Sequence, residues 1–328
     1  LEKIPSISFD LQNNANKKKI SDVQVQRNKI KKLLVSRNIF EIITWSFTDE
    51  KTQKLFGETK KSLKITNPIS SELSCMRSNL LPNIISAIKK NINKNFDNFS
   101  FFELGPVFLG KEQNEQFDNI CVVRSGKISE KSWIDNERNF DFFDVKADLS
   151  SVLNCLDMNI ENFDILRQSK PYYHPGKSGS LLISDQIVGF FGEVSPIILN
   201  SFDMKNKLVA FELNLTTLLK FYKKKEKSKN PLITSQYQAS KRDFSFELDK
   251  DIFSLEIIKL IKNTNHKLIK DVKVFDSYEG EKINEKKKAV GFEVTIQSNE
   301  KTLTDDEINK ISEDIISKVK KKYNAKLR

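Results

Sequence analysis

The sequence predicts an α+β protein in two parts: an antiparallel sheet with flanking helices, then a smaller βαββαβ unit. Three observations carry this. Six strand-like segments between residues 99 and 215 are joined by short, hairpin-like turns, which favours an antiparallel sheet over a doubly wound parallel one. Helical apolar periodicity flanks those segments. After a lysine-rich run at residues 220–230, the pattern becomes strand, helix, strand, strand, helix, short strand, the split βαβ order of a ferredoxin-like unit.

Taken in order, Ser21 and Gln24 form a capping box that opens a helix through residue 37, with Ile30, Leu33 and Leu34 inward. Residues 40–47 are rich in Ile, Thr, Trp and Phe and read as a strand. Thr48 is placed to cap a short helix that ends at Gly57. Pro82 suits the first turn of a helix running to about residue 93. Strands follow at 99–104, 119–124, 163–168, 177–183, 186–192 and 208–215, with a helix at 143–156. In the second part, residues 242–248 alternate cleanly, with Phe244, Phe246 and Leu248 on one face and Asp243, Ser245 and Glu247 on the other. A helix is expected at 252–262 and strands at 267–276 and 288–297. Thr304 and Glu307 make a second capping box, whose helix stacks Ile308, Ile311, Ile315 and Val319 in one stripe. Helices on one side leave the other sheet face open. Asp243, Ser245, Glu247, Glu293, Thr295 and Gln297 are expected there, with Phe275 and Tyr278 near its margin. Stacking aromatics on the central strands, as in an RNA-recognition sheet, are missing from the pattern.

At 328 residues, with 38% hydrophobic and 30% charged residues, the chain reads as a globular protein with room for two domains. No apolar run approaches the roughly 18 residues a membrane helix needs, so no membrane partner is expected. The three cysteines, Cys75, Cys121 and Cys155, are odd in number and far apart, which fits inert thiols in a reducing cytoplasm. With only His174 and His266, no zinc-type cluster can be written, and no metal site is assigned. Net charge is +11, and 47 of the 55 basic residues are Lys. That balance favours non-specific attraction to a polyanion over bidentate base readout. Residues 220–230 hold six Lys and one Glu, a self-repelling run expected to be an extended linker. Residues 237–328 carry a net charge of only +3.

The stretch at 67–82, Asn-Pro-Ile-Ser-Ser-Glu-Leu-Ser-Cys-Met-Arg-Ser-Asn-Leu-Leu-Pro, resembles the β subunit of bacterial phenylalanyl-tRNA synthetase. So do Ile39-Phe40-Glu41-Ile42-Ile43-Thr44-Trp45-Ser46-Phe47, Phe101-Phe102-Glu103-Leu104-Gly105-Pro106-Val107-Phe108, Tyr173-His174-Pro175-Gly176-Lys177-Ser178 and Phe191-Gly192-Glu193-Val194-Ser195-Pro196. A second, independent resemblance covers the last 92 residues. Lys241-Arg242-Asp243, Val274-Phe275-Asp276-Ser277-Tyr278-Glu279-Gly280, Lys286-Lys287-Lys288, Thr302-Leu303-Thr304-Asp305-Asp306-Glu307 and Ala325-Lys326-Leu327-Arg328 are similar to the ferredoxin-fold anticodon-binding domain of the same subunit.

The resemblance implies a class II synthetase-like core at 21–222, a linker at 223–236 and an anticodon-binding domain at 237–328. It also implies that residues 1–20, which begin mid-pattern at Leu1, are a truncated linker from a preceding module. The family's editing domain and its acidic magnesium-binding residues fall outside this chain. The core is expected to be non-catalytic. Class II chemistry needs arginines that grip the ATP phosphates, because charge concentrates there. The strand Phe101-Phe102-Glu103-Leu104-Gly105 has no Arg at the equivalent place, and residues 177–222 hold no Gly-rich segment ending in Arg.

The expected role is therefore the non-catalytic β-subunit part of phenylalanine–tRNA ligase. It would scaffold an α2β2 heterotetramer and dock tRNA(Phe), with ATP and Mg2+ needed by the holoenzyme but no cofactor in this chain and no DNA partner. Lys241, Arg242, Tyr278, Lys282, Lys286, Lys287, Lys288 and Arg328 are the candidate tRNA contacts, since cations attract phosphates and a tyrosine can stack on an unpaired base. Asn67, Pro68, Glu72 and Arg77 are candidates for the subunit interface, with an Arg77–Glu72 ion pair as the alternative for Arg77. Glu103 is read as half of a buried structural pair, and His174 as a loop-packing residue. Two other readings stay open: a free-standing RNA-binding or scaffold protein descended from this subunit, and a self-sufficient enzyme.

Overall fold

The computed structural model describes residues 20–57, 63–129, 131–134, 136–222, 234–280 and 283–328. The chain divides into two compact units, Leu1–Lys224 and Lys225–Arg328. The expected linker at 223–236 lies mostly outside the described residues, as does almost all of 1–20.

The first unit is built on a seven-stranded sheet. Its strands are β1 (Phe40–Glu41), β2 (Phe99–Phe108), β3 (Gln116–Ser125), β4 (Asp164–Leu166), β5 (Tyr173–Ile183), β6 (Gln186–Val194) and β7 (Leu208–Asn214). The spatial order is β1-β2-β3-β7-β6-β5-β4. Every pairing is antiparallel except β1 with β2. Both faces are buried, which is why the central strands are almost continuously apolar. On one face pack helix α1 (Asp22–Ser36) and helix α3 (Phe142–Cys155), with Ile30, Leu34, Leu149, Val152, Phe102, Val122 and Phe211 in one cluster. On the other packs helix α2 (Leu81–Ile92), with Leu81, Ile84, Ile85 and Ile88 against Val107, Val123 and Ala210. Ser21 caps α1 by accepting from the Gln24 N–H, but only this half of the expected capping box forms, the Gln24 side-chain amide donating to Asn28 Oδ1 instead.

Two readings of this unit change. Residues 40–47 are not one strand. Only Phe40–Glu41 and Phe47–Thr48 pair as strands, and Thr48 does not cap the following helix, Glu50–Leu55. Asp49 does, accepting from the Thr52 N–H at 2.8 Å. The break has a cause. Glu103 takes the Thr44 hydroxyl at 2.7 Å and its backbone N–H at 3.2 Å, so this backbone donor is spent on a carboxylate rather than on a ladder.

The buried polar groups of the first unit are organised by strand register. Glu103 pairs with Cys121, Cys121 with Glu212, and Glu212 with Phe190. Two carboxylates and a thiol therefore lie in one row across β2, β3 and β7, on the α2 side. Arg77, 2% exposed, meets Glu103 at 2.7 Å. The same Nη1 that meets Glu103 also reaches Thr44 Oγ1 and Trp45 O at 2.9 and 3.3 Å, and Nε donates to Pro106 O at 2.9 Å. Gly105 makes room for it: a Cβ there would stand 2.6 Å from the Arg77 Nη2. Glu212 has no such cation. The Tyr172 and Tyr173 hydroxyls donate to the same oxygen, Oε1, at 3.0 and 3.1 Å. Burial outweighs these bonds and the more distant Lys170 charge, pushing Glu212 from 4.5 up to about 7. On the opposite face Asp148 of α3 binds Arg124 at 2.6 and 3.1 Å and Arg37 at 2.6 Å, fixing the helix layer to the sheet.

The second unit has strands β8 (Ser240–Asp249), β9 (Ile269–Tyr278), β10 (Lys287–Ile296) and β11 (Lys326–Leu327) and helices α5 (Ser254–Thr264) and α6 (Asp305–Tyr323), α4 being Leu215–Lys220 of the first unit. The sheet order β9-β10-β8-β11 is antiparallel throughout, the ferredoxin-like arrangement the sequence predicts. Phe244, Phe246, Leu248, Phe292, Val294, Ile311, Ile315 and Val319 form its core. The Thr304–Glu307 capping box is present in both directions. No helix among the described residues is long and apolar enough to cross a membrane.

Two predictions follow from the buried row. Replacing Arg77 by Met strands Glu103 without its partner and is expected to destabilise the first unit by about 3–5 kcal/mol in urea unfolding, with the double change Arg77→Met, Glu103→Leu recovering most of the loss. Equal losses in the single and double variants would contradict this. Between pH 4.5 and 7 the unfolded chain has released the Glu212 proton while the folded one keeps it, so stability falls as pH rises through that window and is level above it. Glu212→Gln should abolish this component, on the order of 3 kcal/mol in all, and leave the variant the more stable at pH 8. An unchanged pH–stability profile would refute the assignment.

Candidate nucleic-acid interface

Helices cover one face of the second sheet and leave the other open. Strand alternation puts Lys241, Asp243, Ser245 and Glu247 of β8 on that open face, paired with Thr295, Glu293, Gly291 and Ala289 of β10. Opposite charges are interleaved there. Lys241 Nζ lies 3.0 Å from Glu293, Lys287 Nζ 3.4 Å from Glu247, and Lys273 Nζ 3.5 Å from Asp271. The face is therefore polar and mixed in sign rather than a basic stripe.

It also carries an aromatic. In β9 a register shift between Val274 and Asp276 frees Phe275 from strict alternation. Its ring lies over the central strand at Gly291, where an added Cβ would stand 2.8 Å from the Phe275 Cζ. The side chain is 59% exposed. The sequence pattern put Phe275 at the margin and found no stacking platform. The bulge and the glycine together make one, which period-2 reading of β9 cannot reveal. Tyr278 pairs with Ala289 on the same face and is half-exposed, with its hydroxyl folded over Gly280.

The candidate tRNA-contacting residues divide. Lys241, Lys287 and Tyr278 lie on the open face. Arg328 reaches its edge, donating its backbone N–H to Ser245 O at 2.9 Å. Lys286 is exposed in the turn leading into β10. Arg242 and Lys288 fall on the helix side by alternation. The Arg242 guanidinium stands 3.9 Å from Asp305 at the start of α6. The Lys288 ammonium donates to the carbonyls of Lys250 and Ile252 at 3.2 and 2.7 Å, an internal brace. Lys282 lies outside the described residues.

In the first unit, Asn67, Pro68 and Glu72 are exposed, and Ile69 beside them is 89% exposed. Arg77 is the exception among the interface candidates. It is buried and paired with Glu103, not Glu72, because Thr44, Trp45 and Pro106 supply the acceptors a desolvated guanidinium needs. What the Arg77–Glu103 pair holds in place is an exposed apolar segment. Trp45 is 69% exposed, with Ile43 and Phe40 also outward. Asn83 of α2 adds a bond from its Nδ2 to Trp45 O at 2.7 Å. His174 accepts from the Gly176 N–H at 3.1 Å, closing its own turn, and the Ser178 hydroxyl donates to its backbone carbonyl at 2.7 Å. Glu212 was not singled out by sequence reasoning. A lone carboxylate in an apolar strand carries no signal until register sets it beside Cys121 and Glu103. Among the described residues no three of His, Cys, Asp and Glu are grouped to hold a metal ion.

Residues 8–215 match the family model described as the phenylalanyl tRNA synthetase beta chain CLM domain, and residues 235–328 match the ferredoxin-fold anticodon binding domain. The chain is 35% identical to a phenylalanine–tRNA ligase beta subunit of Rickettsia bellii, covering 99% of this chain and 36% of that protein. It is 36% identical to the one of Paramagnetospirillum magneticum (91% and 38%) and 34% to that of Rickettsia prowazekii (100% and 40%). The chain thus spans about two fifths of the length of the curated relatives it matches. A pyrrolysyl tRNA synthetase from Desulfitobacterium hafniense shares 12% identity with a TM-score of 0.48 over 64% of this chain and 72% of that one, too slight a likeness to argue from. On the two family models, in this order along the sequence, the chain belongs to the phenylalanyl-tRNA synthetase beta chain family.

Proposed function

We propose that this chain serves as the non-catalytic β-subunit part of a phenylalanine–tRNA ligase, holding the α subunit in an α2β2 assembly and docking tRNA(Phe) for ATP-dependent attachment of phenylalanine. The observation that carries this reading is the coexistence of both family matches with an open ferredoxin-fold face that presents Phe275. Phosphate attraction on that face is limited by its interleaved acids, so docking relies on one stacked base and a few backbone contacts.

The non-catalytic role is supported by the arginines of the first sheet. Arg77 is spent on Glu103 and Arg124 on Asp148, so neither is free to grip a phosphate. ATP and Mg2+ accordingly belong to the α subunit's site. The exposed segment carrying Trp45, with Asn67, Pro68 and Ile69, is the surface assigned to the α subunit, since large aromatic side chains left outward are typical anchors of protein interfaces. The cytoplasm, where aminoacyl-tRNA is consumed, is the expected compartment.

Binding of tRNA(Phe) tests the docking face. Phe275→Ala should weaken binding by about 1–3 kcal/mol with no change in salt dependence. Lys241→Ala, Lys286→Ala and Lys287→Ala combined should weaken it and make the salt slope shallower by about 2–3. Unaltered affinity in both would reject the face. For the other partner, Trp45→Asp should abolish co-elution with the α subunit on size exclusion while leaving tRNA binding by the isolated chain intact. An undiminished complex would show that the α subunit docks elsewhere.

A further inference from the structure

The positive charge of the second unit is concentrated in residues 318–328. Of the 20 basic and 17 acidic residues in 237–328, six basic and no acidic ones lie there: Lys318, Lys320, Lys321, Lys322, Lys326 and Arg328. The remainder of 237–328 keeps 14 basic and 17 acidic side chains and is net negative. All six cations are exposed, and none forms an ion pair with a described carboxylate. The Lys318 ammonium reaches the Thr264 carbonyl at 3.5 Å, and that of Lys322 lies 5.2 Å from the centroid of the Tyr323 ring. Glu256 approaches through the Tyr323 hydroxyl, which donates to it at 3.3 Å. Lys241, Lys273 and Lys287 of the open face, by contrast, each stand against an acid. The helix dipole favours cations in a last turn, which accounts for Lys320, Lys321 and Lys322 one by one. It does not act on Lys326 and Arg328, which lie beyond the helix, and Lys318 and Lys322, four residues apart, repel each other.

The fold joins these charges to the open face. Asn324 ends α6 in the left-handed region, with φ at 48°, and the chain turns back onto β8 as the edge strand β11. Lys326 lies opposite Glu247 and shares its face, the open one, and alternation returns Arg328 to that face. The Arg328 N–H donates to Ser245 O, Ser245 pairs with Gly291, and the Phe275 ring lies over Gly291. One row across the sheet therefore leads from the exposed aromatic to the cationic edge, two strand spacings or about 10 Å from Gly291. Beyond that edge stand the four lysines of the last turns of α6. We propose that this strip holds the phosphate backbone of bound RNA: a strand whose base stacks on Phe275 leaves the sheet over β11, and its phosphates continue along the C-terminal turns of α6. The inference rests on the reading of the second unit as an RNA-docking domain, and adds the edge by which the backbone leaves. Lysines suit that task, because mobile point charges hold a backbone without reading its sequence.

The test is titration of tRNA(Phe) with the whole chain at salt concentrations from about 50 to about 200 mM. Lys320→Ala, Lys321→Ala and Lys322→Ala combined should weaken binding about tenfold or more at the lowest salt and make the slope of log K against log salt shallower by about 2. Adding Lys326→Ala and Arg328→Ala should take away about one further unit of slope. Lys301→Ala with Lys310→Ala, nearer the start of α6, removes charge from the same unit outside the strip and should move the slope by about 0.5 at most. An equal shift per charge removed in the strip and in this control would mark a general field effect and overturn the strip. Full affinity and slope in the strip variants, with Phe275→Ala still weakening binding, would overturn the strip alone and leave the docking face standing. Full affinity in the strip variants and in Phe275→Ala alike would reject the docking reading and the strip with it.

Discussion

A buried guanidinium governs the first unit. Arg77 is out of water, and a desolvated charge persists only with a counter-charge and acceptors close around it. Meeting that need recruits Glu103 from the sheet, the Pro106 carbonyl beyond it, and both Thr44 and Trp45 from the segment that follows β1. A continuous strand at 40–47 is incompatible with this arrangement, since Glu103 also claims the Thr44 backbone N–H. The irregular segment is thus a product of the charge, and the outward placement of Trp45 is a product of the segment. One long-range ion pair connects the core to the path of an exposed surface segment.

The two units use charge differently. The first puts carboxylates inside, each with its own solution. Glu103 is paired with Arg77, Asp148 binds two arginines, and Glu212, buried with hydroxyl donors, is pushed up to about 7. The second unit has an apolar core and keeps its ion pairs on the surface. Exposed pairs of that kind add little stability. They leave the open face mixed in sign, with Phe275 as its exposed aromatic.

Local patterns revealed the elements, and distant pairing decided the sites. Ser21 and Thr304 announce their helices, because a cap and its first turn are adjacent in sequence. The alternation of residues 242–248 marks a strand with one buried face. Lys287 and Lys288 are both candidate tRNA contacts in the sequence, although adjacent strand residues point to opposite faces. Period-2 reasoning alone separates the exposed Lys287 from the brace formed by Lys288. By contrast, nothing near Arg77 in the sequence identifies Glu103 as its partner, 26 residues away, and nothing near Glu212 reveals Cys121 as its neighbour. Thr48 and Asp49 are both competent caps, and only the path of the chain into the helix chooses the second.

Gly105 has a consequence for inheritance. It owes its lack of a side chain to a guanidinium on another segment, since any Cβ there would crowd the Arg77 Nη2. The two positions form a lock and its keyhole and are constrained to change together. A side chain at position 105 would push the guanidinium off its acceptors, so the two positions are expected to vary together.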